Sequence, residues 1–203
     1  MEIDVASLEP ELAYKLLISA VQPRPIAWVS TVAADGCANL APFSFFTVAS
    51  RSPATVLFSV GPRVGGGVKD TLTNLRGTGD FVVNIASFEH SAAVATSGLA
   101  VDPDVDEVAL AGLTAVPSTL VRSPRIAEAQ LALECRLYDE IQIGTDVAVL
   151  GTVLVAHAGP GVFNERMRVD NDVLRPLGRL AGPWFTGPLT AIPEPTPAAV
   201  SGE

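Results

Sequence analysis

Positive charge is scarce in this chain. Its 203 residues hold 13 Lys and Arg against 22 Asp and Glu, a formal net charge of −9. Lys15 and Lys69 are its only lysines. A surface this acidic repels the phosphates of nucleic acids and of anionic membranes, so neither is expected as a partner. A single basic pocket for one small anion stays open. Cysteine is scarce too: Cys37 and Cys135 form no C-x-x-C pair, which suits reduced thiols in a cytoplasmic protein. Two histidines, His90 and His157, stand far apart with no ligand spacing around them, so no metal site is expected. The longest late apolar run, 147–158, has 12 residues, short of the roughly 20 a membrane-spanning helix needs. The opening Met-Glu-Ile-Asp lacks the basic and apolar regions of a secretory leader.

What is present is a folding chain, 48% apolar and 17% charged. Apolar residues at Leu12, Leu16 and Leu17 follow helical spacing over 10–20, and Pro23 and Pro25 end that segment. Strand-like runs rich in β-branched and aromatic residues lie at 26–32, 39–48, 55–60, 81–86, 131–138, 141–144 and 147–157. Ala34-Asp-Gly36 reads as a hairpin turn and Ser52-Pro53 as a break. A short helix is expected over 69–76, capped by Asp70 or Thr71, with Gly77 just past its end. A further helix is expected over 88–96 and an exposed acidic loop over 98–117. Helices are missing between most strands, which argues against parallel βαβ units and for a mainly β, antiparallel barrel with flanking helices. Three parts follow: an N-terminal helical extension over 1–22, a barrel domain over 23–186 and a disordered Pro/Ala-rich tail over 187–203.

Three patches could carry chemistry. Ser30 and Thr31 close an apolar run, where adjacent hydroxyls either face a polar ligand or bond the backbone. Asn39-Leu-Ala-Pro-Phe-Ser-Phe-Phe46 gathers Phe43, Phe45 and Phe46 into an aromatic surface, part of it core. There Ala41 and Pro42 would let a flat ring approach, while Asn39, Ser44 and the backbone serve its polar edge. Gly65-Gly-Gly-Val-Lys-Asp-Thr71 leads a flexible loop into a helix start, where free amides, Lys69 and Thr71 suit a phosphate. Neither the G-x-x-x-x-G-K-[ST] nor the G-x-G-x-x-G pattern is present. Together the patches describe a site for flavin mononucleotide (FMN). Pyridoxal phosphate would need a second lysine beside its ring, and Lys69 is already placed at the phosphate.

The order and content of these motifs, with Arg24-Pro-Ile-Ala-Trp-Val-Ser-Thr31, Ser59-Val-Gly61, Lys69-Asp-Thr-Leu-Thr-Asn-Leu75, Phe81-Val-Val-Asn84, Ala132-Leu-Glu-Cys135 and Arg175-Pro-Leu-Gly-Arg-Leu180, resemble the flavin reductase-like, FMN-binding split-barrel family. That resemblance spans about 23–184. It implies a homodimeric split barrel with FMN near the subunit interface. Carried over by position, Ser30 and Thr31 lie beside the flavin, and Asn39 to Ser44 contact its ring. Ser59, Lys69, Asp70 and Thr71 surround its phosphate. Arg179 and Trp184 reach the flavin region, from the partner subunit in one arrangement; relatives often carry tyrosine near Trp184. His157 matches a late-strand histidine and is the one catalytic candidate.

The implied activity is NAD(P)H-dependent flavin reduction, with NADH or NADPH as hydride donor and an acceptor such as a partner oxygenase. Backbone amides near Phe43, or Arg179, would stabilise charge on the ring. A flavoredoxin-like electron carrier with no nicotinamide site of its own is the alternative.

Overall fold

A computed structural model describes residues 1–190 of the chain. Most of the expected tail therefore lies outside the described residues. Strands form where the β-branched and aromatic runs predict them: β1 Ala27–Val32, β2 Ala38–Phe43, β3 Phe46–Arg51, β4 Ala54–Val60, β5 Asp80–Ile85, β6 Leu131–Ile143 and β7 Asp146–Ala158. They make one sheet in the order β2-β1-β5-β6-β7-β4-β3, and every ladder is antiparallel. Two boundaries differ from expectation. The runs at 131–138 and 141–144 are a single strand, because β7 pairs along both, with the register shift at Leu150 and Gly151 taken up between them. The aromatic run divides at Ser44 and Phe45, where the chain leaves one edge of the sheet and joins the other. The sheet curls until those edges approach, because only Ser44 and Phe45 link them; the Ser59 amide on β4 extends the β3–β4 ladder by donating to the Phe45 carbonyl at 2.9 Å.

Side-chain alternation sends one set of residues to each face of the sheet. Ala27 and Val29 of β1 enter the barrel interior with Phe58, Phe81 and Val149, while Trp28 points to the outer face. That outer face is covered by α3 Ser91–Thr96 and α4 Glu107–Leu110, through Val94 and Val108. The Trp28 indole N–H donates to Ser97 Oγ at 2.8 Å, so its one polar atom is satisfied within the packing. Leu72 and Leu75 of α2 Asp70–Thr78 pack into the interior cluster. This helix starts one residue later than expected: Lys69 is its cap, without a side-chain capping bond. It also runs through Gly77 to Gly79, whose φ of 74° makes the left-handed stop. Helix α1, Pro10–Ala20, forms as its spacing predicts but contributes no buried residue.

Gly151 shows how tightly the barrel closes. It sits at a register shift in β7, and a Cβ placed there would meet Phe81 Cζ at 2.2 Å and Cys135 Cβ at 3.2 Å. Gly151→Ala is therefore expected to lower stability by about 2–3 kcal/mol. Denaturant unfolding measures this, and adding Phe81→Leu should recover part of the loss.

Candidate functional site

A cleft of about 590 Å³ opens where the β2 edge, the start of α2, the segment after α3 and the chain around 179–185 converge. The β2 edge contributes Asn39, Ala41 and Pro42, followed by Ser44. The loop before α2 and its first turn contribute Arg63, Lys69, Asp70 and Thr71. Tyr14 and Ile18 of α1, in the N-terminal helical segment, close one side. A smaller adjoining cleft, about 420 Å³, shares Tyr14, Pro42, Ser44 and Lys69 and adds Phe43 and Ser59.

Most of the predicted residues are thus gathered by the fold: Asn39, Ala41, Pro42, Ser44, Lys69, Asp70, Thr71 and Arg179 in the main cleft, Phe43 and Ser59 in its neighbour. Four lie elsewhere. Ser30 is fully buried, donating to the Pro124 carbonyl and accepting from Asn84 Nδ2. Thr31 is also fully buried, with its hydroxyl bonded to Asn39 Oδ1 at 3.0 Å, so it supports a wall residue without lining the cleft. Trp184 points outward at 68% exposure, while its neighbours Pro183 and Phe185 line the cleft. His157 binds Glu134 at 2.6 Å, away from the cleft. Burial raises the Glu134 carboxyl, but the amides of Thr119 and Leu120 together with His157 hold it below its usual range. The pair clasps the 119–120 loop to β6.

The aromatic surface needs correcting as well. Phe43 and Phe46 belong to the interior packing, with Phe43 5.1 Å from Phe58 between ring centroids. Only Phe45 is outside, against Tyr14. What a flat ring would meet is the backbone edge at Ala41 and Pro42. The Leu40 amide on that edge is already taken by Glu107 Oε2 at 2.7 Å, and Pro42 has no amide. On that edge the Leu40 amide is thus unavailable to a ring, and Pro42 offers only its carbonyl.

Charge in the cleft is uneven. Asp70 is paired with Arg63 at 3.1 Å, so the acid expected at the phosphate is neutralised by a neighbour. Lys69 has no ion-pair partner among the described residues, and its ammonium lies 5.6 Å from the centre of the Phe43 ring. Arg24 is buried and donates to the carbonyls of Ile18, Val21 and Leu180. Burial lowers its pKa, and nearby Arg179 pushes the same way. The glycines 65–67 take φ values of 85°, 96° and 93°, conformations that only glycine adopts readily. They shape the turn that delivers Lys69, but they do not line the cleft.

The sequence reading missed Glu107, which sits in the supposed exposed loop. Asp106 caps α4 by accepting from the Ala109 amide, and this turns the next residue inward. The pattern Asp106-Glu-Val-Ala-Leu110, a capping residue followed by helix formers, was the available signal. Glu107 Oε2 accepts from Leu40 N and from Asn39 Nδ2, and Asn39 Oδ1 accepts from the hydroxyls of Thr31 and Thr71. Burial pushes the Glu107 carboxyl up to about 7, against its bonds to Leu40 and Asn39. Between the ordinary 4.5 and about 7 the folded chain holds a proton here that the unfolded chain has lost. This contribution to stability therefore falls as pH rises through that window. The native protein is expected to lose on the order of 3 kcal/mol more than Glu107→Gln between pH 5 and pH 8, read by urea denaturation at both pH values.

Cleft volume and chemistry fit FMN. The space falls within the roughly 300–1,000 Å³ of small-molecule sites. It combines an ammonium without an ionic partner among the described residues, the start of a 9-residue helix and a flat backbone edge.

Residues 20–178 match the family model described as flavin reductase like domain. An uncharacterized protein of Aquifex aeolicus is 37% identical over 185 residues, covering 91% of this chain and 94% of its own. Two solved structures are also similar. Nitrilotriacetate monooxygenase component B from Bacillus cereus has a TM-score of 0.90 and 30% identity, covering 96% of this chain and 98% of its own. The 2-nitrobenzoate 2-nitroreductase of Pseudomonas fluorescens has a TM-score of 0.89 and 28% identity, covering 100% of this chain and 99% of its own.

Proposed function

The chain belongs to the flavin reductase-like domain family, and on that premise we propose that it is an FMN-dependent oxidoreductase that takes hydride from NADH or NADPH. The observation that carries this reading is the single cleft in which the β2 edge, Lys69 and the first turn of α2 meet. Lys69 and the amides that open α2 would hold the phosphate, as a cation and helix-terminal donors do. Ala41 and Pro42 would set the ring against the strand edge, and their small or rigid side chains leave the approach clear. Tyr14 and Ile18 would shield it from water. Bound FMN supplies a two-electron acceptor for hydride, chemistry that belongs to the cofactors and needs no acid–base dyad from the protein. Arg179, whose guanidinium lies 4.8 Å from the centre of the Phe185 ring, is placed to offset negative charge at the cleft mouth.

The likeness to a monooxygenase component B supports a partner oxygenase as the electron acceptor, and the likeness to a nitroreductase supports direct reduction of a small aromatic. We favour the first. The proposal includes a homodimer, supported by exposed Leu12 and Leu17 on α1, Val48 on the edge strand β3, and Tyr138 and Ile143 on β6. Exposed Trp184 would then face the second copy. It also includes a reducing, cytoplasmic setting, supported by the two unlinked cysteines.

Anaerobic mixing of the FMN-loaded protein with each reduced nucleotide tests the reading. Bleaching of the flavin absorbance by NADH or NADPH is expected. A flavin that neither nucleotide reduces, yet dithionite does, would move the protein to the electron-carrier class.

A further inference from the structure

We propose that Glu107 is a proton-linked phosphate-binding residue, entering the neutral state when the phosphate monoester of FMN occupies the cleft and donating its O–H to a phosphate oxygen. This rests on the FMN reading and adds to it a residue, a protonation state and a pH dependence.

Thr71, Asn39 and Glu107 form one continuous stretch of cleft wall, joined by the bonds from Thr71 Oγ1 to Asn39 Oδ1 at 2.9 Å and from Asn39 Nδ2 to Glu107 Oε2. Glu107 thus stands one residue, Asn39, along the same wall from Thr71 in the first turn of α2, within the cleft that would hold the phosphate. One of its two carboxyl oxygens is open to the cleft. Glu107 is 94% buried (6% exposed), and Oε2 carries both of its bonds. Oε1 has no protein partner among the described residues and is reached by solvent, as suits an oxygen of a residue that lines the cleft. The surrounding network fixes the direction of the carboxyl. Asn39 can present only its N–H to Glu107, because its oxygen is taken by Thr31 and Thr71. Oε2 is thereby held as the acceptor, and Oε1 is the oxygen free to carry a proton.

Charge decides what the free oxygen does. Arg63 faces Glu107 from the loop before α2, but it is already paired with Asp70. Asp70 itself faces the site from α2 and disfavours a second anion. On the other side, Asp35, Asp104 and Asp106 crowd the Cys37 thiol together with Glu107, and burial and these acids raise that thiol. Lys69 beside α2 and Arg179 at the cleft mouth are lining cations without an ion-pair partner among the described residues. A carboxylate packed beside a phosphate would repel it, whereas a carboxyl group donates to it. Burial has already moved this group to a pKa of about 7, so a modest further rise completes the protonation. The balance is simple: one proton leaves the solvent for Oε1 as the phosphate enters, and it returns when the ligand leaves. No electrons move.

Equilibrium titrations of FMN and riboflavin, followed by flavin fluorescence from pH 6 to 8.5, test this with native protein and Glu107→Gln. A phosphate monoester has lost its second proton by about pH 7, its pKa being near 6. Above that point the ligand charge is constant. Native protein is expected to lose affinity for FMN by about tenfold per pH unit above pH 7.5. Glu107→Gln should bind FMN with little change across the same range, and riboflavin should show no such slope with either protein. Calorimetry of the native protein in two buffers of different ionisation enthalpy supplies a readout free of any variant, and net proton uptake is expected at pH 7.5. Equal slopes for native protein and Glu107→Gln, or no proton uptake, would overturn the inference while leaving FMN binding intact. A matching slope for riboflavin would also overturn it, since the ring and not the phosphate would be sensed. Failure of FMN to bind native protein at any pH would overturn the FMN reading itself.

Discussion

Arg24→Ala is expected to lower stability by about 3 kcal/mol, the scale of a broken buried hydrogen-bond network, and to weaken FMN by about tenfold or more. The guanidinium donates to Ile18 O at 2.6 Å, Val21 O at 3.0 Å, Leu180 O at 3.1 Å and Ser44 Oγ at 3.3 Å. The first two are carbonyls at the C-terminal end of α1, where a helix leaves acceptors unsatisfied and favours a cation. Because α1 contributes no buried residue of its own, this side chain is its main tether. The same side chain joins three segments that line the cleft: the helix, the end of β2 and the chain around Leu180. Arg24→Lys should recover little, because an ammonium cannot span the fork that a guanidinium bridges. Urea denaturation reads the stability, and hydrogen exchange over 10–20 reads the helix. Unchanged exchange there, with unchanged FMN affinity, would show that α1 is held by other contacts.

Lys69→Ala should separate FMN from riboflavin. Loss of a charge-assisted bond of about 1.5–3 kcal/mol corresponds to about a 10- to 100-fold loss of FMN affinity. Riboflavin, which lacks the phosphate, should change little. Thr71→Val is a poorer probe, because the Thr71 hydroxyl already donates to Asn39 and its removal loosens the wall. Fluorescence titration of both ligands measures the effect. Equal losses for the two flavins would move the phosphate away from the start of α2.

The strands were legible because β-branched and aromatic runs have few alternatives, and β1 and β5 form where those runs stand. Lys69 was legible as a cleft residue because a lysine at the positive end of a helix is disfavoured by the dipole unless an anion faces it. Ser30 and Thr31 misled because a sequence does not say which neighbour satisfies a hydroxyl. Pro124 and Asn84, which satisfy Ser30, are 94 and 54 positions away. Phe43 and Phe46 misled for a related reason: the turn at Ser44 decides which rings face inward, and it depends on the sheet edges meeting. Glu107 was hidden by composition, since a short capped helix inside an acidic stretch looks like solvated loop until its cap is recognised. Arg24 was quoted as part of a motif without a role, because its partners come from both ends of the chain.

The central claim is that FMN lies against the β2 edge at Ala41, and one titration of FMN into native protein and Ala41→Glu addresses it. Ala41 lines the cleft and is partly buried beside the interior cluster, so the thermal midpoint of each protein is recorded alongside as a check on folding. Native protein is expected to bind FMN and quench its fluorescence, while folded Ala41→Glu, with a bulky charge where the ring must lie, binds about 100-fold more weakly or not at all. Equal binding by two equally folded proteins would contradict the account and place the flavin elsewhere.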